Sequence, residues 1–299
     1  MAADQNYLRQ LSVALNSLSE TADAQCRVHV LQEGIADGDR DRVQASVSEI
    51  VQIEWIDLEA ELRDRFPAGG PPRAACYRLL LSEVLPRLPR VIYLDADVIV
   101  RRPLTELWST DLGGAPIAAV RDAYIPWMAR DLDLQWRQLD LAPESEFFNS
   151  GVMLLSLDAW RNHEIGARAA ALLARFSLPT DQDALNILLE RNWAALHPTW
   201  NVQSYHLSGD ASLAFAAEGR ERLDVALADP AIVHFTGGTF NRPWQAPCGN
   251  PYRDEWLEHL DQTAWSGWRP KPAPRFGRAL SRTKRALRVL LYGGSGAVR

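Results

Sequence analysis

The stretch VIYLDADVIV at residues 91–100 constrains this chain more than any other. Four apolar residues in a row, Val91 to Leu94, fit a strand buried on both faces, the habit of parallel strands in α/β sheets. Val98, Ile99 and Val100 continue the run beyond an Asp-Ala-Asp break. Asp95 and Asp97 stand two residues apart, so they share a face wherever the chain is extended. At a strand end both can reach one hard cation, which takes oxygen ligands. The competing reading is a pair of solvated acids at a turn. Unpaired charge at the end of a fully apolar strand is costly, which favours the cation.

The rest of the chain repeats the same grammar. Short apolar runs at 28–31, 50–56, 117–120, 152–155 and 232–235 read as strands. Helical spacing of apolar residues fills 7–19, 79–85 (which stops before Pro86), 156–176 and 181–192. Strands alternating with helices predict an α/β fold with a mainly parallel central sheet. Ligands of such sheets sit at the carboxyl ends of the strands.

Several further residues carry chemistry in that frame. His234 closes an apolar strand and is followed by Phe-Thr and by Gly237 and Gly238. Glycines let backbone N–H groups approach an anion, and Arg242 a little further on adds a charge-assisted contact to phosphate. Together they outline a diphosphate site. A lone histidine in a strand is more often structural, so the case rests on the combination. Asn149, Ser150 and Gly151 precede a buried strand, where a simple turn would also explain them. Asp181 opens a helical stretch, the usual place of an N-cap. Arg78 leads an otherwise apolar helix and needs an anionic partner.

Charge and cysteine content narrow the function classes. After Asp261 there are nine basic residues and no acidic one, while residues 1–261 hold 23 basic and all 38 acidic side chains, a net of -15. An acidic body without a recognised binding module argues against a nucleic-acid partner. The three cysteines are far apart and form no CxxC pair, which fits neither a zinc cluster nor a disulfide framework and suits a reducing compartment. No apolar run reaches the roughly 18 residues a membrane span needs, and the N-terminus lacks a signal pattern. These features predict a soluble, cytoplasmic protein. In the basic tail, apolar Phe276, Leu280, Leu287, Leu290 and Leu291 recur at helical spacing among arginines. Such an amphipathic helix suits peripheral contact with an anionic membrane at its inner face. The alternating prolines of 269–274 make a stiff hinge, dividing a body at 1–265 from a basic tail at 266–299.

The motifs, in their order, resemble glycosyltransferase family 8, in particular its bacterial lipopolysaccharide galactosyl- and glucosyltransferases. The matching pieces are AADQNY at 2–7, YRLLLSEVLP at 77–86, VIYLDADVIV at 91–100, FFNSGVMLLSLDAWR at 147–161, DQDALNILL at 181–189, WN at 200–201, and HFTGG followed by RPW. The resemblance implies a GT-A fold, a manganese (or magnesium) ion, a UDP-hexose donor, a saccharide acceptor and retention of anomeric configuration. By match, Asp95, Asp97 and His234 would hold the metal, and Asp95 would also face the donor. Asp4, Asn6 and Tyr7 would bind the nucleotide, with Gly237 and Arg242 at the diphosphate and Arg78 beside the diphosphate and donor sugar. Asn149, Asp181 and Gln182 would surround the sugar at the reacting face, joined by Asp122. Gln182 is a poor nucleophile, which favours front-face attack over double displacement.

Three departures from the family stand out. Only Met1 precedes AADQNY where the family has a strand, so either that strand is lost or the true start lies upstream; Asp4, Asn6 and Tyr7 would then hang on a frayed end. The family's lysine between the HFxG and PW elements is replaced by Arg242 after a longer spacer. Residues 123–146, where the acceptor would lie, match no fixed pattern. Two other functions share the fold: a glycogenin-like self-glucosylating primer, and a catalytically silent glycan-binding scaffold.

Overall fold

A computed structural model describes residues 1–58, 65–66, 73–128, 139–207, 212–238 and 241–271. The strands form three sheets. The first is wholly parallel, in the order β1 (Ala2–Ala3), β2 (Cys26–Gln32), β3 (Val51–Asp57). The second runs β4 (Arg90–Leu94), β7 (Phe148–Ser156), β6 (Ile117–Arg121), β8 (Ala194–Ala195), with β7 antiparallel to both neighbours and β8 parallel to β6. In the third, β10 (Ile232–His234) lies between β5 (Val98–Val100), antiparallel, and β9 (Val202–Gln203), parallel.

Among the described residues four strand pairings are parallel and three antiparallel, within the α/β pattern. The VIYL strand itself, however, pairs antiparallel with β7. Its apolar run reports burial on two faces rather than strand direction. Along β7, Val152 and Leu154 enter one core while Met153 and Leu155 enter the other. Along β6, Ala118 and Val120 face the first core and Ile117 and Ala119 the second. The first core is closed by helix Leu8–Thr21 and by Trp256 of helix Arg253–Asp261. The second is closed by Leu79–Leu81, Trp160, Ile165 and Leu185.

The helix expected at 156–176 is two helices, Leu157–Asn162 and Ile165–Phe176, separated at Glu164, whose φ is +51°. The second helix docks hard against the segment before β4: a Cβ on Gly166 would lie 2.0 Å from the Leu79 carbonyl oxygen. The helix expected at 181–192 ends at Leu188. The N-terminus is not frayed. Met1 is buried, its ammonium donates to the His29 carbonyl, the Leu31 N–H donates to the Met1 carbonyl, and Ala2 and Ala3 pair with Leu31 and Gln32. Burial holds the Met1 amine down at about 5.

Among the described residues no helix is long and apolar enough to cross a membrane. The amphipathic stretch expected at 276–291 and the middle of the expected acceptor region, 129–138, lie outside the described residues.

Candidate active site

The Asp-Ala-Asp segment is the crossing from the second sheet to the third. Asp95 follows β4 and its N–H donates to the Gly151 carbonyl on β7, at 2.7 Å. Asp97 precedes β5 and its carbonyl accepts from the Phe235 N–H, just beyond β10, at 3.0 Å. The register places His234 opposite Val98. Two carboxylates and an imidazole therefore converge where the sheets meet.

Ligand atoms of Asp95, Asp97 and His234 lie within 4.8 Å of one another. His234 Nε2 stands 3.2 Å from Asp97 Oδ1 and 3.8 Å from Asp95 Oδ2. Burial pushes the Asp97 carboxyl up, but the hydrogen bond and charge of His234, with Arg242 behind them, bring it below the usual carboxylate range. Burial likewise lowers His234, and Asp97 and Asp95 together more than reverse it. Gly151 closes the floor: a Cβ there would stand 2.1 Å from His234 Cε1 and 2.8 Å from Asp95 Oδ2. Two carboxylates and one imidazole, crowded on a face that admits no side chain, fit a divalent cation of the manganese or magnesium kind.

Arg78 is the hub behind this cluster. Its side chain is 5% exposed, and Nη2 donates to Asp95 Oδ1 at 2.9 Å. Nη1 donates to the Ser150 carbonyl and hydroxyl. Nε donates to the Ala75 carbonyl, while Asp181 Oδ2 sits 2.7 Å from the same nitrogen as a charge partner. The guanidinium also covers the Tyr93 ring, whose hydroxyl donates to Asp95 Oδ1. Burial would lower the Arg78 pKa, but Asp181, then Asp95, raise it, so the cation is secure. Asp181 is not the N-cap of its helix. Thr180 is, in a capping box with Asp183, which leaves the Asp181 carboxylate to Arg78. Burial lifts that carboxyl to about 6, with Arg78 pulling it the other way.

The amides expected at the reacting face come together as well. Asp122 Oδ2 accepts from Asn149 Nδ2 at 3.0 Å and from Gln182 Nε2 at 3.2 Å. Gln182 Oε1 accepts from the Ser150 N–H at 2.9 Å. Asp122 Oδ1 accepts from the N–H groups of Tyr124 and Ile125.

At the other end, the Asp4 carboxylate accepts from the Asn6 N–H, which shapes the turn that opens the first helix. Tyr7 lies edge-on to Trp244, which also packs against Phe235 and Trp256. Burial raises the Tyr7 pKa, and Asp97 adds to it, which sets the phenol beside the acidic cluster. Gly237 has φ +86°. Arg242 stacks near Trp244, and its buried Nε has no hydrogen-bond partner among the described residues. A cavity of about 600 Å³ lies elsewhere, lined by Met1, Val28, Val91, Ile92 and Trp108 among others. Of the groups described above only Tyr93 borders it, and its lining is mostly apolar, so the chemistry does not belong there.

Sequence reasoning assigned no site role to Tyr93, Gly151 or Asn201, although all three lie in pieces that match the family. Tyr93 was within reach: it stands two residues before Asp95 at the end of the same strand. The roles of Gly151 and Asn201 emerge only through contacts distant in sequence, with Asp95 and His234.

Comparison with known proteins converges on the same region. The family model described as "Glycosyl transferase family 8" matches residues 1–248. General stress protein A of Bacillus subtilis (strain 168) is 28% identical over 278 residues, covering 88% of this chain and 93% of that protein. Lipopolysaccharide 1,3-galactosyltransferase of Salmonella typhimurium is 24% identical over 279 residues, covering 88% of this chain and 77% of its own length. Among solved structures, the galactosyltransferase LgtC in complex with donor and acceptor sugar analogues superposes with a TM-score of 0.73 at 26% identity, covering 93% of this chain and 98% of that one.

Proposed function

Because the chain belongs to glycosyl transferase family 8, and is therefore a glycosyltransferase with the GT-A type of α/β fold, we propose that it moves a hexose, galactose or glucose, from UDP to a saccharide acceptor with retention of anomeric configuration. The acceptor class we favour is a lipopolysaccharide or other cell-surface glycan, because the Salmonella relative is named for such a reaction. The observation that carries the proposal is the convergence of Asp95, Asp97 and His234 within 4.8 Å over the glycine floor at Gly151.

A divalent cation, Mn2+ or Mg2+, would be held by Asp95, Asp97 and His234, and when bound it supplies Lewis-acid charge to the diphosphate leaving group. The chain's own groups account for the rest. Arg242 offers a guanidinium N–H, unpartnered among the described residues, to the diphosphate, beside the backbone at Gly237. Asp4, Asn6 and Tyr7 receive the nucleotide. The donor sugar lies over Asn149, Asp122 and Gln182, the two amides already oriented by the Asp122 carboxylate.

Gln182 is held at both ends of its amide, which suits orientation of the sugar more than nucleophilic attack. Asp181, with its side chain 3% exposed, stands behind Arg78. Neither arrangement favours a covalent intermediate. The acceptor hydroxyl attacks from the face the leaving group departs from, and the leaving phosphate takes its proton. The basic stretch 266–299 is an accessory to the body at 1–265, and brings the enzyme to the anionic inner face of the cytoplasmic membrane, where lipid-linked acceptors lie.

The test is a donor panel. The full chain with Mn2+ is incubated with UDP-galactose, UDP-glucose and other nucleotide sugars, with and without lactose or lipopolysaccharide-core oligosaccharides. UDP release and an α-linked product are expected from one UDP-hexose. Absence of both release and transfer across the panel would leave a silent scaffold. A β-linked product would overturn retention alone.

A further inference from the structure

We propose that Asn201 is a positioning residue that fixes the tautomer of His234, and that it does so through one hydrogen-bond polarity chain shared with the amides at the reacting face. The proposal rests on His234 being a metal ligand.

The polarity is set from groups that cannot reverse. A backbone N–H only donates, and an ionised carboxylate only accepts. The Gly151 N–H donates to Asn149 Oδ1 at 3.1 Å, and Asn149 Nδ2 donates to Asp122 Oδ2 at 3.0 Å. Asn149 therefore has one orientation, with its oxygen toward Gly151. That same oxygen lies 2.9 Å from Asn201 Nδ2, so Asn201 must turn its amide nitrogen to Asn149. Its own oxygen then faces His234 Nδ1, at 3.0 Å. An oxygen there requires a proton on Nδ1. In the neutral imidazole the lone pair is then on Nε2, the atom 3.2 Å from Asp97 Oδ1.

A metal-binding imidazole works in this way when a neighbour accepts its other N–H. In this chain the neighbour is a carboxamide rather than a carboxylate, and its second end is already committed. Asn201 is fully buried and His234 is 4% exposed, so water does not offer a substitute. The same chain continues to the sugar side: Asp122 Oδ2 orients Gln182 Nε2, and the Ser150 N–H holds Gln182 Oε1. One set of fixed donors and acceptors thus orients the metal-facing nitrogen and both amides.

Asn201→Leu removes the acceptor at similar volume. Asn201→Asp keeps an oxygen for His234 Nδ1 but replaces the donor toward Asn149. Mn2+ affinity is read by electron paramagnetic resonance of free Mn2+ in the presence of UDP, with near-ultraviolet circular dichroism to confirm folding. Asn201→Leu should weaken Mn2+ binding about 10- to 100-fold, the usual cost of losing such a partner. Asn201→Asp should stay within about 3-fold of wild type in Mn2+ affinity by the same principle, while kcat falls because Asn149 Oδ1 has lost one of its two donors and faces a carboxylate oxygen instead. Equal losses in both variants would reduce Asn201 to packing and overturn the proposal, as would no loss in Asn201→Leu. If wild type and Asp97→Ala bind Mn2+ alike, the metal assignment itself has failed, a distinct outcome. Should neither Asn201 variant fold, long-range 15N–1H spectra of the wild-type Mg2+–UDP complex decide, with His234→Gln assigning the signal. A protonated Nδ1 is expected, and an unprotonated Nδ1 overturns the proposal.

Discussion

The two ends of the site differ in how far their hydrogen bonding is satisfied before any ligand arrives. At the end proposed to face the reacting sugar, Asn149, Asp122, Gln182, Asn201 and Arg78 are all paired within the protein, and Arg78, Asn149 and Asn201 are buried. At the end proposed to take the nucleotide, Asn6 is exposed, Asp4 is half-buried, and Arg242 has an Nε–H with no partner among the described residues. The contrast separates two tasks. Groups that act on developing charge work best when orientation is fixed beforehand, because no reorganisation is then needed during reaction. Groups that capture a large anionic ligand keep donors free for it. Mutations at the two ends should therefore fall on different kinetic constants.

The largest effect is expected at the metal cluster, where the ends meet. Asp97→Ala removes a carboxylate worth several kcal/mol of charge stabilisation, so kcat/KM should fall by about 1000-fold or more, with an unchanged far-ultraviolet spectrum. Gly151→Ala should approach it without altering any charged residue, because its Cβ would collide with His234. A Gly151→Ala enzyme with wild-type Mn2+ affinity would show that the floor is not rigid. Next comes Gln182→Ala, with a loss of about 100-fold in kcat and little change in UDP affinity, the signature of a group acting at the reacting centre. Equal losses in both would move Gln182 to the binding half. Arg242→Ala should show the reverse: UDP affinity weaker by about 10-fold, one charge-assisted contact, and kcat at saturating donor within a few-fold of wild type. A kcat collapse there would erase the division between the two ends.

That division was only partly legible in the sequence. The α/β class and the pieces of the reacting end were readable because each sits at the end of an apolar strand or the start of a helix: Asp95 after VIYL, His234 after Ala-Ile-Val, Asp181 at a helix opening. Strand direction was not readable at β4 and β7, since two-sided burial makes an apolar run whichever way a neighbour points. Strands β1, β8 and β9 are two residues each, too short to show any period. Asp181 was readable as a helix-start residue, but its partner Arg78 is 103 positions away, and only packing assigns Thr180 the cap. Asn201 was visible only as half of the matching WN piece at 200–201, and its role was not readable because it lies in which donors and acceptors around it can reverse.

The smallest expected effect concerns what keeps the closed half closed. Strand β9 ends at Gln203, whose Oε1 accepts from the Ala123 N–H and whose Nε2 donates to the Arg121 carbonyl, bracketing Asp122. The Gln203 N–H in turn donates to His206 Nδ1 at 3.1 Å. His206 is 2% exposed, and burial lowers its pKa from 6.5 to about 4. The folded state thus holds this imidazole neutral, while the unfolded chain protonates it near its ordinary value. The stability this lends is complete above pH 6.5 and is lost as the pH falls toward 4, by roughly 1.4 kcal/mol per unit of difference in pKa. Protonation would also put a proton on Nδ1 and evict the Gln203 N–H. His206→Asn keeps an acceptor near Nδ1 but cannot take up a proton. Its melting temperature should fall less between pH 7 and pH 4.5 than that of wild type, by roughly 2–4 °C for each kcal/mol removed from the acid sensitivity. Parallel melting-temperature curves for the two proteins would show that other groups govern acid unfolding, and that the support of Asp122 does not pass through His206.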